Sequence, residues 1–321
     1  MQSIFLPSRP TRRDVLSAGA MLLASRLLKA EETPSAPADE PIIDIHQHTN
    51  YSGRTDAQLL YHQKAMGVSL TLLLPAGSVV NRPSTHDGKT NGLMAKCGGN
   101  DTCVKIAREH PGEYLFYANE VPDLPDAPQV LAKYLKMGAV GIGEQKFNVP
   151  CDSPPIERIA EVAGEFGVPI LIHFQEGMFN EGFPNFHKIL EKFPKVRFIG
   201  HAQSFWCYTD KNYTISQGLY PKGKVTPGGI TDRYLSDYPN MFGDISAGSG
   251  LNFLLRDEEQ ARGFLDRHRD KILFGSDCND RAGRGPACQG WMTIHTLKRI
   301  SPDKSVERKI LHDNATKLFK L

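Results

Sequence analysis

The sequence predicts a (β/α)8 barrel, and three observations carry that reading. Eight short apolar runs are spread between Ile43 and Asp277. Most alternate with amphipathic segments of helical period, the pattern of a parallel sheet with crossover helices. Titratable residues recur at the C-terminal ends of those runs, which in a barrel face one mouth. A doubly wound open sheet is the competing arrangement, but no Gly-x-Gly-x-x-Gly turn follows the first run.

The first run, Ile43-Asp44-Ile45-His46-Gln47-His48, sets His46 and His48 on one strand face and Gln47 on the other. Two imidazoles sharing a face form a ready pair of metal ligands. Taken alone they are equally two unrelated histidines at a strand edge. A helical segment, Thr55 to Met66, is closed by Gly67, and the second run is Val68 to Leu74. Helical Asp101 to Glu109 precedes the third, Tyr114 to Ala118, and Ala127 to Met137 precedes the fourth, Gly138 to Glu144. Pro155 to Phe166 leads to the fifth, Val168 to His173, and Asn185 to Phe193 to the sixth, Val196 to His201. The seventh, Met241 to Ile245, is weaker. Glu258 to His268 precedes the eighth, Lys271 to Asp277, and a helix from Pro302, capped by Ser301, ends the chain.

The ends of the chain and its composition narrow the class. At 321 residues, 40% hydrophobic and 23% charged, the chain has the composition of a soluble globular protein with a large core. Its 38 basic and 36 acidic side chains nearly balance, which gives no electrostatic reason to expect nucleic acid. No uninterrupted apolar run is long enough to cross a bilayer. Arg12-Arg13, followed by Asp14-Val15-Leu16-Ser17 and a mildly apolar run to Leu28, looks like a twin-arginine export signal. Residues 1–30 are expected to be that signal, removed after export to the periplasm; 31–40 reads as a Pro/Ala/Glu linker, and 41–321 as the barrel domain. The six cysteines (Cys97, Cys103, Cys151, Cys207, Cys278 and Cys288) could pair in an oxidising compartment or remain buried thiols. No Cys-x-x-Cys pair occurs, which argues against a thiolate zinc site.

His46 and His48, Glu144, His173, His201 and Asp277 close predicted strands one, four, five, six and eight. A lone histidine in such a place, His201 for example, is more often a satisfied structural residue. Six titratable groups in register are costly to bury together unless a cation organises them. These residues, with Leu-Phe-Gly-Ser-Asp at 273–277, Asn314-Ala315 and Leu318-Phe319, make the stretch from Pro41 to Leu321 resemble the amidohydrolase superfamily. It is most similar to the amidohydrolase-2 branch of metal-dependent hydrolases and decarboxylases. The resemblance implies one or two divalent ions, Zn²⁺ first, held by His46, His48, His173 and Asp277. By the same resemblance His201 is a second metal ligand in a binuclear site or a polarising acid in a mononuclear one. Glu144 would be a further, bridging ligand in some relatives. Asp277 would also be the proton shuttle.

Around that mouth, Lys146, two residues beyond Glu144, could grip an anionic substrate or sit in an internal ion pair. Arg281 and Arg284, in the segment from Asn279 to Gly290, could clamp a carboxylate or simply be solvated. Asp44 reads as a supporting or packing residue behind His46. Cys278 should point away from the face of Asp277. The segment from Gln203 to Tyr234, with Phe205, Trp206, Tyr208, Tyr213 and Tyr220, reads as a lid, an aromatic wall or a subunit interface. Gly77 to Asn100, with Asn81, Arg82, His86 and Asp87, is a third rim loop. The expected function is metal-dependent attack of water on an amide, lactone or ester of a small molecule, with a homo-oligomer left open. Nonoxidative decarboxylation of a cyclic or aromatic acid is the alternative, and a ligand- or partner-binding barrel without turnover is the alternative outside catalysis.

Overall fold

The computed structural model describes residues 40–86 and 96–321, so the expected export segment, its linker up to Asp39, and Asp87 lie outside the described residues. The apolar runs form eight strands: β1 (Ile42–Gln47), β2 (Val68–Leu73), β3 (Tyr114–Phe116), β4 (Ile142–Gln145), β5 (Ile170–His173), β6 (Phe198–His201), β7 (Met241–Asp244) and β8 (Ile272–Leu273). Neighbouring strands pair in parallel, β1-β2-β3 in one sheet and β4 through β8 in the other. Backbone hydrogen bonds close both seams. Ala118 N to Gly141 O and Val140 N to Phe116 O, each 2.9 Å, join the first sheet to the second. Ile45 N to Phe274 O at 3.1 Å and Asp277 N to His46 O at 2.8 Å join its far end back to β1. Eight parallel strands closed on themselves with helices outside make the predicted α/β barrel.

The core has two layers. Leu171 and Ile199 lie two residues before His173 and His201 and so share their inward face. With Leu72, Tyr117 and Leu273 they form an inner cluster, closed from below by Ala315, Leu318 and Phe319 of the last helix, Asn314–Phe319. The larger cluster packs between strands and outer helices, with Phe116, Ile172, Phe198 and Phe274 facing residues such as Leu131, Ile159, Phe186 and Phe264.

Several boundaries differ from expectation, each for a local reason. The first helix is Asp56–Ala65, and Thr55 caps it in a reciprocal box with Gln58, at 3.3 Å and 3.0 Å. Strand β8 pairs over two residues only, and just beyond it the Asp44 carboxylate accepts from Ser276 N at 2.8 Å. Near the C-terminus the cap is Asp303, whose carboxylate accepts from Val306 N at 2.9 Å, and not Ser301, which ends the helix Gln289–Ile300. Gln203 to Tyr234 is packed into the core at its start and exposed over much of 211–224. Phe205 and Trp206 belong to the helix Ala202–Cys207 and are buried in the core, as Tyr213 is buried nearby; Tyr220 is exposed. All six cysteines are free. No helix among the described residues is long and apolar enough to cross a membrane.

Candidate metal centre at the barrel mouth

Each candidate ligand is aimed by the strand beneath it. His46 sits in β1 and His48 just beyond it; the alternation of the strand brings their Nε2 atoms to 3.3 Å from each other. Glu144 reaches the same place by breaking the alternation of β4. Ile142, two residues earlier, packs in the outer core, and the register slips between Ile142 and Gln145. Gly143 makes the slip, with φ 145° and a backbone so close to β5 that a Cβ would lie 2.7 Å from Leu171 O. Asp277 comes from the segment after β8 in the left-handed region, at φ 40°, held by its amide on His46 O at 2.8 Å. An aspartate tolerates that conformation better than most residues.

Four donor atoms converge. Glu144 Oε2 is 3.6 Å from His46 Nε2 and 3.4 Å from His48 Nε2. Asp277 Oδ1 is 3.8 Å and 3.5 Å from the same two nitrogens. Ligands at tetrahedral Zn²⁺ bond lengths would be spaced about 3.3 Å apart, so this cage has the right size for a divalent cation. The other oxygens of the two carboxylates face a second group. Glu144 Oε1 is 2.7 Å from His173 Nδ1 and 3.7 Å from His201 Nε2, and Asp277 Oδ2 is 3.7 Å from His201 Nε2. Glu144 and Asp277 therefore stand between two donor sets, one with His46 and His48, the other with His173 and His201.

The tautomers decide what these atoms can do. His48 Nδ1 lies 2.9 Å from Leu74 O, a pure acceptor, so Nδ1 carries the hydrogen and Nε2 presents a lone pair. His46 Nδ1 is 2.7 Å from Asp244 Oδ2, and its Nε2 is likewise left as an acceptor. His201 Nδ1 donates to Ser246 Oγ at 2.9 Å, and that hydroxyl donates to Asp244 Oδ2 at 2.7 Å. With both rings neutral, two lone pairs 3.3 Å apart beside two carboxylates would repel, so a cation or a proton has to lie between them. His201 Nε2, Glu144 Oε2 and Asp277 Oδ1 are also buried with no hydrogen-bond partner. Unpaired acceptors gathered at one mouth are what cations satisfy.

The protonation preferences agree. Burial and the neighbouring His46 hold His201 well below the usual imidazole range, which keeps it neutral. Burial opposes the charged form of Glu144, yet Lys146, His173, His46 and His48 hold its carboxyl well below the usual range. Burial likewise disfavours a charged His46, but Asp277 and Asp244 outweigh it and push this imidazole well up. With no metal, the surplus negative charge draws a proton onto His46.

Neither a protein-family model nor a curated protein sequence matches the chain. Solved structures do. A 5-carboxyvanillate decarboxylase from Sphingomonas paucimobilis superposes with a TM-score of 0.55 at 11% identity, covering 88% of this chain and 99% of the other. A probable 2-pyrone-4,6-dicarboxylic acid hydrolase from Acinetobacter baumannii gives 0.54 at 14%, with coverage of 88% and 99%. An amidohydrolase II gives 0.54 at 15%, covering 88% and 100%. The chain shares their fold. At the level of the fold, this matches the resemblance to amidohydrolases drawn from the sequence.

Other candidates fall unevenly around this centre. Lys146 is half-buried, with Nζ 5.4 Å from the centre of the Phe179 ring. No carboxylate lies within 4 Å of it among the described residues, though its charge acts on Glu144 from farther off. Arg281 and Arg284 are exposed and are not brought to the cluster. The arginine that matters there is Arg54, 1% exposed, which sequence reading passed over. It donates to Cys278 O and Asp280 O, each at 2.9 Å, and to Gln47 Oε1 at 2.5 Å, fixing the segment that carries Asp277. Asp44 does not touch the ligands' side chains; it accepts from His46 N at 3.0 Å and Ser276 Oγ at 2.5 Å and binds β1 to the segment after β8. Arg82 is engaged with Asp123 at 3.1 Å, away from the ligands. Asp244 and Ser246 were also missed, although Asp244 closes strand seven in register with the other polar residues. Gly275 leaves them room, since a Cβ there would lie 2.5 Å from Asp244 Oδ1.

Proposed function

We propose that the chain is a metal-dependent hydrolase of the amidohydrolase-2 branch, acting on a carbonyl-type bond in a small anionic molecule. The observation that carries the reading is that Glu144 Oε2 and Asp277 Oδ1 each lie 3.4–3.8 Å from His46 Nε2 and His48 Nε2, themselves 3.3 Å apart, with both histidine tautomers fixed from behind. His46, His48, Glu144 and Asp277 would hold one divalent ion and His173 and His201 a second, Zn²⁺ being the first candidate for such nitrogen and oxygen donors. Cations there supply a Lewis acid for the carbonyl oxygen and bring the pKa of a water toward ~7.

The protein's own groups do the rest. Asp277 meets incoming substrate: its side chain is 10% exposed, where those of His46 and Glu144 are at 0%. It accepts the proton of the attacking water and returns it to the leaving group. Asp244 receives both His46 and, through Ser246, His201, so one carboxylate orients two ligands. The Nδ1 hydrogen bond of His201 leaves no hydrogen on its Nε2, which favours the ligand role over that of a polarising acid. Lys146 supplies an unpaired cation beside the second donor set and would draw an anionic group toward it. The same lysine favours a second reading, decarboxylation of a cyclic or aromatic acid. Export ahead of residue 41 belongs to the proposal too.

The test is a screen of metal-loaded protein against lactones, amides, esters and aromatic acids in ¹⁸O-labelled water. Product carrying one ¹⁸O supports hydrolysis, and CO2 with an unlabelled organic product supports decarboxylation. No turnover by fully metal-loaded protein across the panel contradicts both and leaves the binding barrel.

A further inference from the structure

A second donor cluster lies on the far side of the backbone from Asp277. Cys278, the next residue, turns away from the aspartate's face, as the alternation requires. Its Sγ is 3.7 Å from Cys288 Sγ, and Cys288 Sγ is 3.4 Å from His62 Nε2 and 3.7 Å from Met66 Sδ. Cys278, Cys288, His62 and Met66 are 2%, 0%, 0% and 6% exposed. They come from three places: the C-terminal end of the helix Asp56–Ala65, the segment after β8, and the N-cap of the helix Gln289–Ile300, where Cys288 Sγ also accepts from Trp291 N at 3.4 Å. The spacing Cys-x9-Cys gives no motif in the sequence; the fold supplies the other two donors.

The distances match a bound cation better than a disulfide. A disulfide needs its sulfurs at about 2.05 Å. A tetrahedral ion with thiolate bonds of about 2.3 Å and imidazole bonds of about 2.0 Å sets sulfurs about 3.8 Å apart and sulfur and nitrogen about 3.5 Å apart. Cys288 shows those separations from each of the other three, and the donor atoms of His62, Cys278 and Cys288 all lie within 4.8 Å of one another. Neither a carboxylate nor a carbonyl is among the donors, which excludes hard ions such as Mg²⁺ and Ca²⁺; thiolate and thioether donors select Zn²⁺ or Cu⁺. His62 can present a lone pair at Nε2. As placed, Gln63 Nε2 donates to His62 Nδ1 at 3.3 Å and Gln63 Oε1 accepts from Thr71 Oγ1 at 3.0 Å, which leaves the hydrogen on His62 Nε2, facing Cys288 Sγ. Turning that amide by 180° presents its oxygen to His62 and its nitrogen to Thr71, which can also accept; Nδ1 then takes the hydrogen and Nε2 is free to bind an ion.

We propose that Cys278, Cys288, His62 and Met66 form a second, thiophilic metal site, separate from the centre at the barrel mouth, taking Zn²⁺ or Cu⁺. An ion there fastens the segment behind Asp277 to two outer helices and so positions that carboxylate. The site stands on its own donors whether or not the proposed reaction does.

Co²⁺ is the probe, because a thiolate ligand gives it an intense near-ultraviolet charge-transfer band that histidine and carboxylate ligands do not. The full chain, stripped of metal under reducing conditions and titrated with Co²⁺, should show the band. The double variant His46→Ala, His48→Ala should keep it, and Cys278→Ser with Cys288→Ser should lose it. His62→Gln, which leaves both thiols in place, should shift the band, so the site can be tested even if the serine variant does not fold. One equivalent of Zn²⁺ or of Cu⁺ should extinguish it, and whichever does so first is the preferred ion. No band in the wild-type chain, a band that vanishes in the His46/His48 variant, or a Cys278–Cys288 disulfide resistant to the reductant would overturn the proposal.

Discussion

Asp277 is placed for two tasks, and substitution can separate them. Its oxygens face His46 and His48 on one side and His201 on the other, within 3.5–3.8 Å. In Asp277→Asn the amide oxygen still coordinates weakly, but the amide takes no proton at neutral pH. Metal content should fall only in part, while turnover falls by about 10²–10⁴-fold, the usual loss of a general base. Metal content, melting temperature and turnover, measured on one preparation, check this. Near-normal turnover in a folded, metal-loaded variant rules out the shuttle. At this scale the candidate ligands themselves were legible, because metal-binding side chains at strand ends are rare enough to be noticed. What stayed hidden was their support. Asp244, Ser246 and Arg54 act through hydrogen bonds to residues 198, 45 and 7 positions away, pairings that only the closed barrel creates.

Strand β4 shows how an element overrides its own periodicity. Alternation alone would turn Glu144 the same way as Ile142, into the outer core; the slip at Gly143 turns it inward. In Gly143→Ala a Cβ meets Leu171 O at 2.7 Å, at a φ of 145° that side chains rarely adopt. A cost of about 1–3 kcal/mol is expected, with Glu144 displaced and the metal bound more weakly. Thermal unfolding and metal titration of this variant measure it; unchanged metal affinity would separate Glu144 from the centre. Strands and outer helices were readable from apolar periodicity. The helices Ala202–Cys207 and Ala247–Arg256 were not, since a left-handed Ala202 or Ala247 starts each without a side-chain cap to announce it. The aromatic residues Phe205 and Trp206 looked like rim residues because their helix was not seen. Arg281 and Arg284 were candidates by sequence proximity to Asp277, but that segment turns them to solvent.

For the whole molecule, the closed parallel barrel explains why donors from five strands reach one mouth, since each strand delivers its last inward residue there. The N-terminal arginines belong to the same scale. With Arg12→Lys and Arg13→Lys together, precursor should accumulate in the cytoplasm of a host carrying a twin-arginine exporter; undiminished periplasmic delivery refutes that route. Arrival in folded form would fit a protein whose ligands, set in β1, β4, β5, β6 and beyond β8, meet only after the barrel closes.

The central claim is that a cation sits among His46, His48, Glu144 and Asp277. Anomalous diffraction from crystals of the metal-loaded protein, recorded on both sides of the metal's absorption edge, tests it most directly. The account predicts a peak about 2.0–2.2 Å from His46 Nε2, His48 Nε2, Glu144 Oε2 and Asp277 Oδ1, absent below the edge. Crystals grown with metal in excess that show those four atoms bridged only by water, with no anomalous signal among them, would contradict it.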